Sequence, residues 1–157
     1  MKHLLKITFL FLTLIMYNCE NEIIETNPYE DIQQIQNKFS LKDFEKSFIK
    51  ENLEVNWNDF IKNDNMKNST FMYEFNTSLK TKSRLENEKE ALDYKYKVLA
   101  FKDVDKNWSI ELIKFLTKNA KTLSNVSSFS PTSFSGTLYH YDLNGKPLKI
   151  KAMKTES

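Results

Sequence analysis

One cysteine, two histidines, two glycines and three prolines in 157 residues leave little material for several common chemistries. A lone thiol, Cys19, cannot close an internal disulfide, so apolar packing must hold the fold together. With histidine confined to His3 and His140, no zinc set of cysteines and histidines can be assembled. The two glycines, Gly136 and Gly145, exclude a phosphate-cradling glycine loop and a G-x-S-x-G nucleophile elbow. Continuous apolar sequence is short as well. Residues 7–17 (ITFLFLTLIMY) fall well below the roughly 20 residues that a membrane-spanning helix needs.

That apolar stretch is nevertheless the most informative part of the chain. Lys2, His3 and Lys6 surround its start, Cys19 follows its end, and Glu20, Asn21 and Glu22 come next. A basic start, an apolar run of about 7–15 residues and a processing site define a secretory signal. The run has no polar face of the kind that a buried helix of a globular domain would show. Residues 1–18 are therefore expected to be removed, leaving residues 19–27 as a tether and 28–157 as a single domain. Residues 14–19 (Leu-Ile-Met-Tyr-Asn-Cys) resemble a lipobox, with Asn18 where Gly, Ala or Ser usually stands. Attachment of lipid at Cys19 also gives a use to an otherwise unpaired thiol in an oxidising compartment. The alternative is a plain secreted protein with a free thiol.

The resemblance is to lipoproteins of the Bacteroidota, and the bias toward Lys, Asn, Ile and Phe is similar to that of flavobacterial sequences. Val55-Asn56-Trp57, Phe134-Ser135-Gly136 and residues 141–145 (Tyr-Asp-Leu-Asn-Gly) resemble the amino-terminal part of larger flavobacterial lipoproteins. The resemblance implies an outer-membrane location and a membrane partner reached through the lipid on Cys19. Glu20, Glu22 and Glu25, just behind that cysteine, resemble the acidic segment associated with display at the cell surface. No activity comes with the likeness.

Removing residues 1–18 takes away Lys2 and Lys6 and no acid, so 23 basic residues become 21 against 21 acidic ones. Neutralising phosphates requires a surplus of Lys and Arg, so nucleic acid is not an expected partner.

Along the mature chain the apolar period changes once. Tyr29, Ile32, Ile35 and Phe39 recur at helical spacing, and Ser40 with Asp43 reads as a capping signal for a second helix bearing Leu41, Phe44, Phe48 and Ile49, or as a break in one continuous helix near Ser40. Trp57, Phe60 and Ile61 read as a further helical turn. From residue 70 the period becomes two: 70–77, 94–100 and 108–115 read as strands, with a turn at 103–107. Residues 80–90 and the Ser/Thr-rich 122–135 read as connections, followed by strands over 134–142 and 147–153 around Asn144-Gly145, a strong hairpin dipeptide. The expected architecture is α+β, with amino-terminal helices packed on an antiparallel meander of about five strands.

Few residues invite a chemical role. Asp103, Asp105 and Asn107 open like a calcium loop, but Trp108 stands where the turn needs Gly and Lys114 where the bidentate acid belongs, so a tight turn is the better account. His140 alternates with Tyr139 and Tyr141 and reads as a strand residue more than as a base for a loop serine. Glu86, Glu88 and Glu90 read as a solvated charged connection. Aromatics make up 13% of the chain, and Phe71, Tyr73, Phe75, Tyr94, Tyr96, Trp108 and Tyr139 are expected mostly in the core. Where both faces of a strand are apolar or aromatic, at Met72 and at Tyr139 with Tyr141, an exposed binding face is expected. The sequence therefore reads as a non-enzymatic envelope protein, without cofactor or metal, that binds a protein or a glycan through its sheet. The competing expectation is an inhibitor or immunity protein whose residues 122–135 probe a hydrolase.

Overall fold

The computed structural model of the chain describes residues 27–64, 71–81, 92–102, 105, 107–130 and 134–154. Cys19 and Glu86, Glu88 and Glu90 lie outside them, as do Asp103 and Lys106 of the expected turn.

Helix α1 spans Pro28–Lys38. Asn27 caps it by accepting a hydrogen bond from the backbone N–H of Tyr29, Pro28 brings its fixed φ to the first turn, and Glu30 and Asp31 near the start oppose Lys38 at the end. All of this suits the helix dipole and its orphan amide groups. The expected second helix is shorter than its apolar spacing implies. Ser40 accepts a bond from the Lys42 amide and stabilises a turn, and helix α2 begins only at Ser47, running Ser47–Asn52.

A six-stranded antiparallel sheet follows, in the order β1-β2-β3-β4-β5-β6: Leu53–Asn63, Met72–Leu79, Asp93–Lys102, Trp108–Thr117, Gly136–Tyr141 and Pro147–Met153. The fold is mostly β, and the expected five strands become six because Trp57, Phe60 and Ile61 belong to β1 and not to a helical turn. The cause is an irregularity in the ladder. Asn56 pairs with Asn76 and Phe60 with Phe75, so Trp57, Asn58 and Asp59 bulge out of register. Asn56 accepts the Asn58 amide inside the bulge, and Asp59 accepts a bond from the Asn76 side chain at 2.8 Å.

The central strands are buried on both sides, so the core has two parts. Over one face lie α1, α2 and the turn between them, enclosing Ile32, Ile35, Phe44, Ile49, Tyr73, Phe75, Val98, Trp108 and Leu112. A polar network pins α1 there. Buried Asp31 accepts bonds from the Tyr73 hydroxyl and the Lys102 ammonium, both at 3.1 Å, and Gln34 accepts the Trp108 indole N–H.

Residues 118–130 and 134–135 cover the opposite face. They include a 3-10 turn at Ala120–Leu123, and Leu123, Val126 and Phe134 pack on Met72, Leu99, Ile113, Phe115 and Leu138. Between them sits a buried ion pair, Lys97 to Glu74 at 2.6 Å, whose second carboxylate oxygen accepts bonds from the Ser128 amide and hydroxyl. The described part of the Ser/Thr-rich stretch thus packs on the sheet through Leu123, Val126, Ser128 and Phe134.

Candidate functional site

The helical layer covers the first face only in part. Toward β3, β4, β5 and β6 that face carries a register row of Tyr96, Lys114, Tyr139 and Ile150, each directly opposite the next. Tyr94 lies two residues from Tyr96 and Tyr141 two residues from Tyr139, so period-two alternation places both on the same face. The result is four tyrosines on one face, with Lys114 in register between Tyr96 and Tyr139. Tyr94 and Tyr96 meet edge to face, with centroids 5.7 Å apart, while Tyr139 and Tyr141 are stacked at 6.2 Å with ring planes 13° apart. The Lys114 ammonium lies over the Tyr94 ring at 5.2 Å, and that of Lys46, from the turn before α2, lies over Tyr141 at 5.7 Å.

Burial is graded across this surface. Tyr96 and Lys114 form a buried floor, Tyr94, Tyr139 and Tyr141 are half-buried, and Ile150 is exposed on the last strand. Phe44 packs edge to face on Tyr141 and bounds one side. Its turn is held against the β5–β6 hairpin by the bond from the Glu45 amide to the Asn144 carbonyl. Burial, then the neighbouring Tyr141 and Tyr94, push the Tyr96 hydroxyl well above its ordinary range. Burial and Tyr139 also raise Tyr141. Both hydroxyls therefore stay protonated at neutral pH and can donate as well as accept a hydrogen bond.

Of the residues singled out in the sequence, Tyr139 and Tyr141 belong to this surface and Met72 does not. Met72 is buried, 7% exposed, under Phe134 and its neighbours, because Leu123, Val126 and Phe134 cover the face on which it lies. The apolar character of both faces of β2 reflects a second core and not a second binding face. His140 points to that opposite face too, where its Nδ1 sits 2.7 Å from a Glu111 carboxylate oxygen. Asp105 and Asn107 are exposed beside the β3–β4 connection. Among the described residues no group of three or more His, Cys, Asp or Glu side chains could hold a metal ion.

Lys114, Tyr94 and Tyr96 were not legible as partners of Tyr139 from composition. The available signal was Lys114 itself, a charged residue at a position that alternation with Leu112 places on a packed face. A second concavity, an open groove of about 540 Å³, runs between α1 and β1 and is lined by Tyr29, Ile32, Gln33, Gln36, Asn58 and Phe60. Among the described residues no helix is long and apolar enough to cross a membrane. No protein-family model, no curated protein and no solved structure matches the chain.

Proposed function

We propose that this chain is a lipid-anchored protein of the bacterial cell envelope, non-enzymatic, whose sheet binds an acidic glycan at the tyrosine face. The observation that carries the reading is the row Tyr96, Lys114, Tyr139, Ile150 with Tyr94 and Tyr141 beside it. Half-buried rings offer faces on which the C–H side of a sugar ring can stack, and phenol hydroxyls match sugar hydroxyls as donors and acceptors. The ammonium groups of Lys46 and Lys114 favour a carboxylate or sulfate on the sugar. The inhibitor reading relies on a projecting loop, and residues 122–130 are instead packed on the sheet through Leu123, Val126 and Ser128.

The anchor belongs to the same proposal. Residues 1–18 act as a lipoprotein signal, Cys19 carries the lipid, and residues 19–27 hold the domain off an outer membrane, with the acidic residues behind Cys19 favouring the cell surface. Metabolic labelling with a fatty acid should mark the wild-type chain and not the Cys19→Ser variant. Protein on intact cells that resists added protease would count against surface display.

Affinity electrophoresis tests the binding site. Migration of the purified chain should be retarded in gels containing an acidic polysaccharide and restored by Tyr139→Leu, a variant whose fold is checked by circular dichroism. Equal retardation of wild type and variant would place binding elsewhere.

A further inference from the structure

The strand β6, Pro147–Met153, pairs with β5 along one side and, among the described residues, has no sheet neighbour along the other. Its residues from Pro147 to Ala152 are all exposed, and Ile150 is 61% and Leu148 51% accessible. The opposite edge of the sheet is different, because β1 is interrupted by the bulge at residues 57–59, a device that turns an edge away from further pairing. After the register shift between His140 and Tyr141, the β6 ladder runs regularly from Lys149 to Met153. An edge with main-chain donors and acceptors that no described strand uses is the surface to which a further strand adds.

The side chains of this edge select what can add. Lys149 lies opposite His140 and Lys151 opposite Leu138, so both project to one face, while Ile150 lies opposite Tyr139 on the other. Lys146 and Lys154 flank the strand, and no Asp or Glu occurs between residues 143 and 154. A second copy of β6 laid antiparallel would set lysines against lysines, and like charges across a ladder are destabilising. Lysines alone would explain a blunted edge. They do not explain Ile150, an exposed aliphatic side chain continuing an aromatic face.

We propose that β6 accepts, as a seventh strand, an extended acidic segment of a partner protein in which Glu or Asp alternates with apolar residues. Its carboxylates meet Lys149 and Lys151 on one face, and the apolar residues between them pack beside Ile150 on the other. Main-chain hydrogen bonds supply affinity and the alternation supplies register. The surface adjoins the tyrosine face but does not depend on a glycan being bound there.

The test uses an acetylated, amidated peptide of alternating valine and glutamate, labelled for fluorescence anisotropy, with two controls: the same peptide with lysine for glutamate, and the glutamate peptide N-methylated on all of its backbone amides, so that no N–H remains to face β6. The purified chain should bind the glutamate peptide, lose it to both controls and protect β6 amides from hydrogen exchange when it is bound. The exposed double variant Lys149→Glu/Lys151→Glu should weaken that binding by about tenfold or more and gain affinity for the lysine peptide. Equal binding of the N-methylated peptide would overturn strand addition. So would binding to vesicles of anionic phospholipid without discrimination among the peptides, which would make the edge a membrane contact. Concentration-dependent self-association removed by the same double variant would overturn it in favour of a second copy.

Discussion

Lys114 on β4 stands directly opposite Tyr139 on β5, and its ammonium lies 5.2 Å from the centre of the Tyr94 ring. The side chain is buried among phenols on a face that elsewhere is packed with hydrocarbon, and an apolar residue of similar length would fill the space without the cost of desolvating a charge. On the proposed reading a bound acidic ligand uses that charge. Lys114→Met keeps the length of the side chain and should remain folded by circular dichroism. In affinity gels it should lose retardation by acidic polysaccharides while any retardation by neutral ones persists.

The opposite core depends on a charge in a different way. Glu74 and Lys97 are both buried, and Ser128 binds the second carboxylate oxygen, so the pair ties residues 118–130 to the sheet. Lys97→Met leaves the Glu74 charge without its partner and should cost about 3–5 kcal/mol in urea unfolding. The double variant Glu74→Leu/Lys97→Met removes both charges and should lose less than Lys97→Met alone. A double variant worse than either single would mean that the pair itself is a net source of stability.

The two glycines should respond differently to alanine. A methyl group at Gly136 would lie 2.2 Å from the Leu116 carbonyl oxygen and 2.7 Å from the Phe134 ring, neither of which can move without opening the start of β5. Gly145 has φ +93° and a methyl there would lie 3.0 Å from the Glu45 amide nitrogen. Thermal unfolding should show Gly145→Ala destabilised by about 1–2 kcal/mol, the usual left-handed penalty, and Gly136→Ala destabilised by more.

Alkaline titration should expose the buried phenols. Tyr73 is raised by burial and then by the Asp31 carboxylate, Tyr96 by burial and its tyrosine neighbours, and Tyr141 by burial and Tyr139. In the unfolded chain all three ionise near their ordinary value of 10.0. Above that pH the unfolded state has lost protons that the native state retains. The stability contribution of these groups is therefore complete below about pH 10 and declines above it. Phenolate absorbance should rise in two steps, the exposed tyrosines first and the buried ones together with loss of near-ultraviolet circular dichroism. A single step near pH 10 with the fold intact would contradict the burial.

Much of the fold was legible because its strands alternate cleanly. β3, β4, β5 and β6 show period two over most of their length, and Asn144-Gly145 marks the last hairpin where Gly145 does take positive φ. β1 was not legible for a physical reason. Leu53, Val55 and Trp57 alternate as in a strand, but the three-residue bulge moves the next inward residue to Phe60, and the resulting spacing of three and four imitates a helix. Residues 40–46 misled in the opposite sense: Ser40 does cap, but it caps a turn. The candidate site was half legible. Tyr139 and Tyr141 could be placed on one face of one strand, whereas Tyr94, Tyr96 and Lys114 join them only through the registers of β3 with β4 and β4 with β5, which no single-strand pattern contains. Met72 failed because alternation reports that both faces are apolar without telling a second core from an open surface.

Nuclear magnetic resonance mapping tests the glycan site most directly, using oligosaccharides cut from whichever acidic polysaccharide retards the chain most. Shifts should concentrate on Tyr94, Tyr96, Lys114, Tyr139 and Tyr141 and leave residues 123–129 unmoved. Perturbations confined to the groove between α1 and β1, at Tyr29, Gln33 and Asn58, or the absence of binding to any acidic polysaccharide, would contradict it.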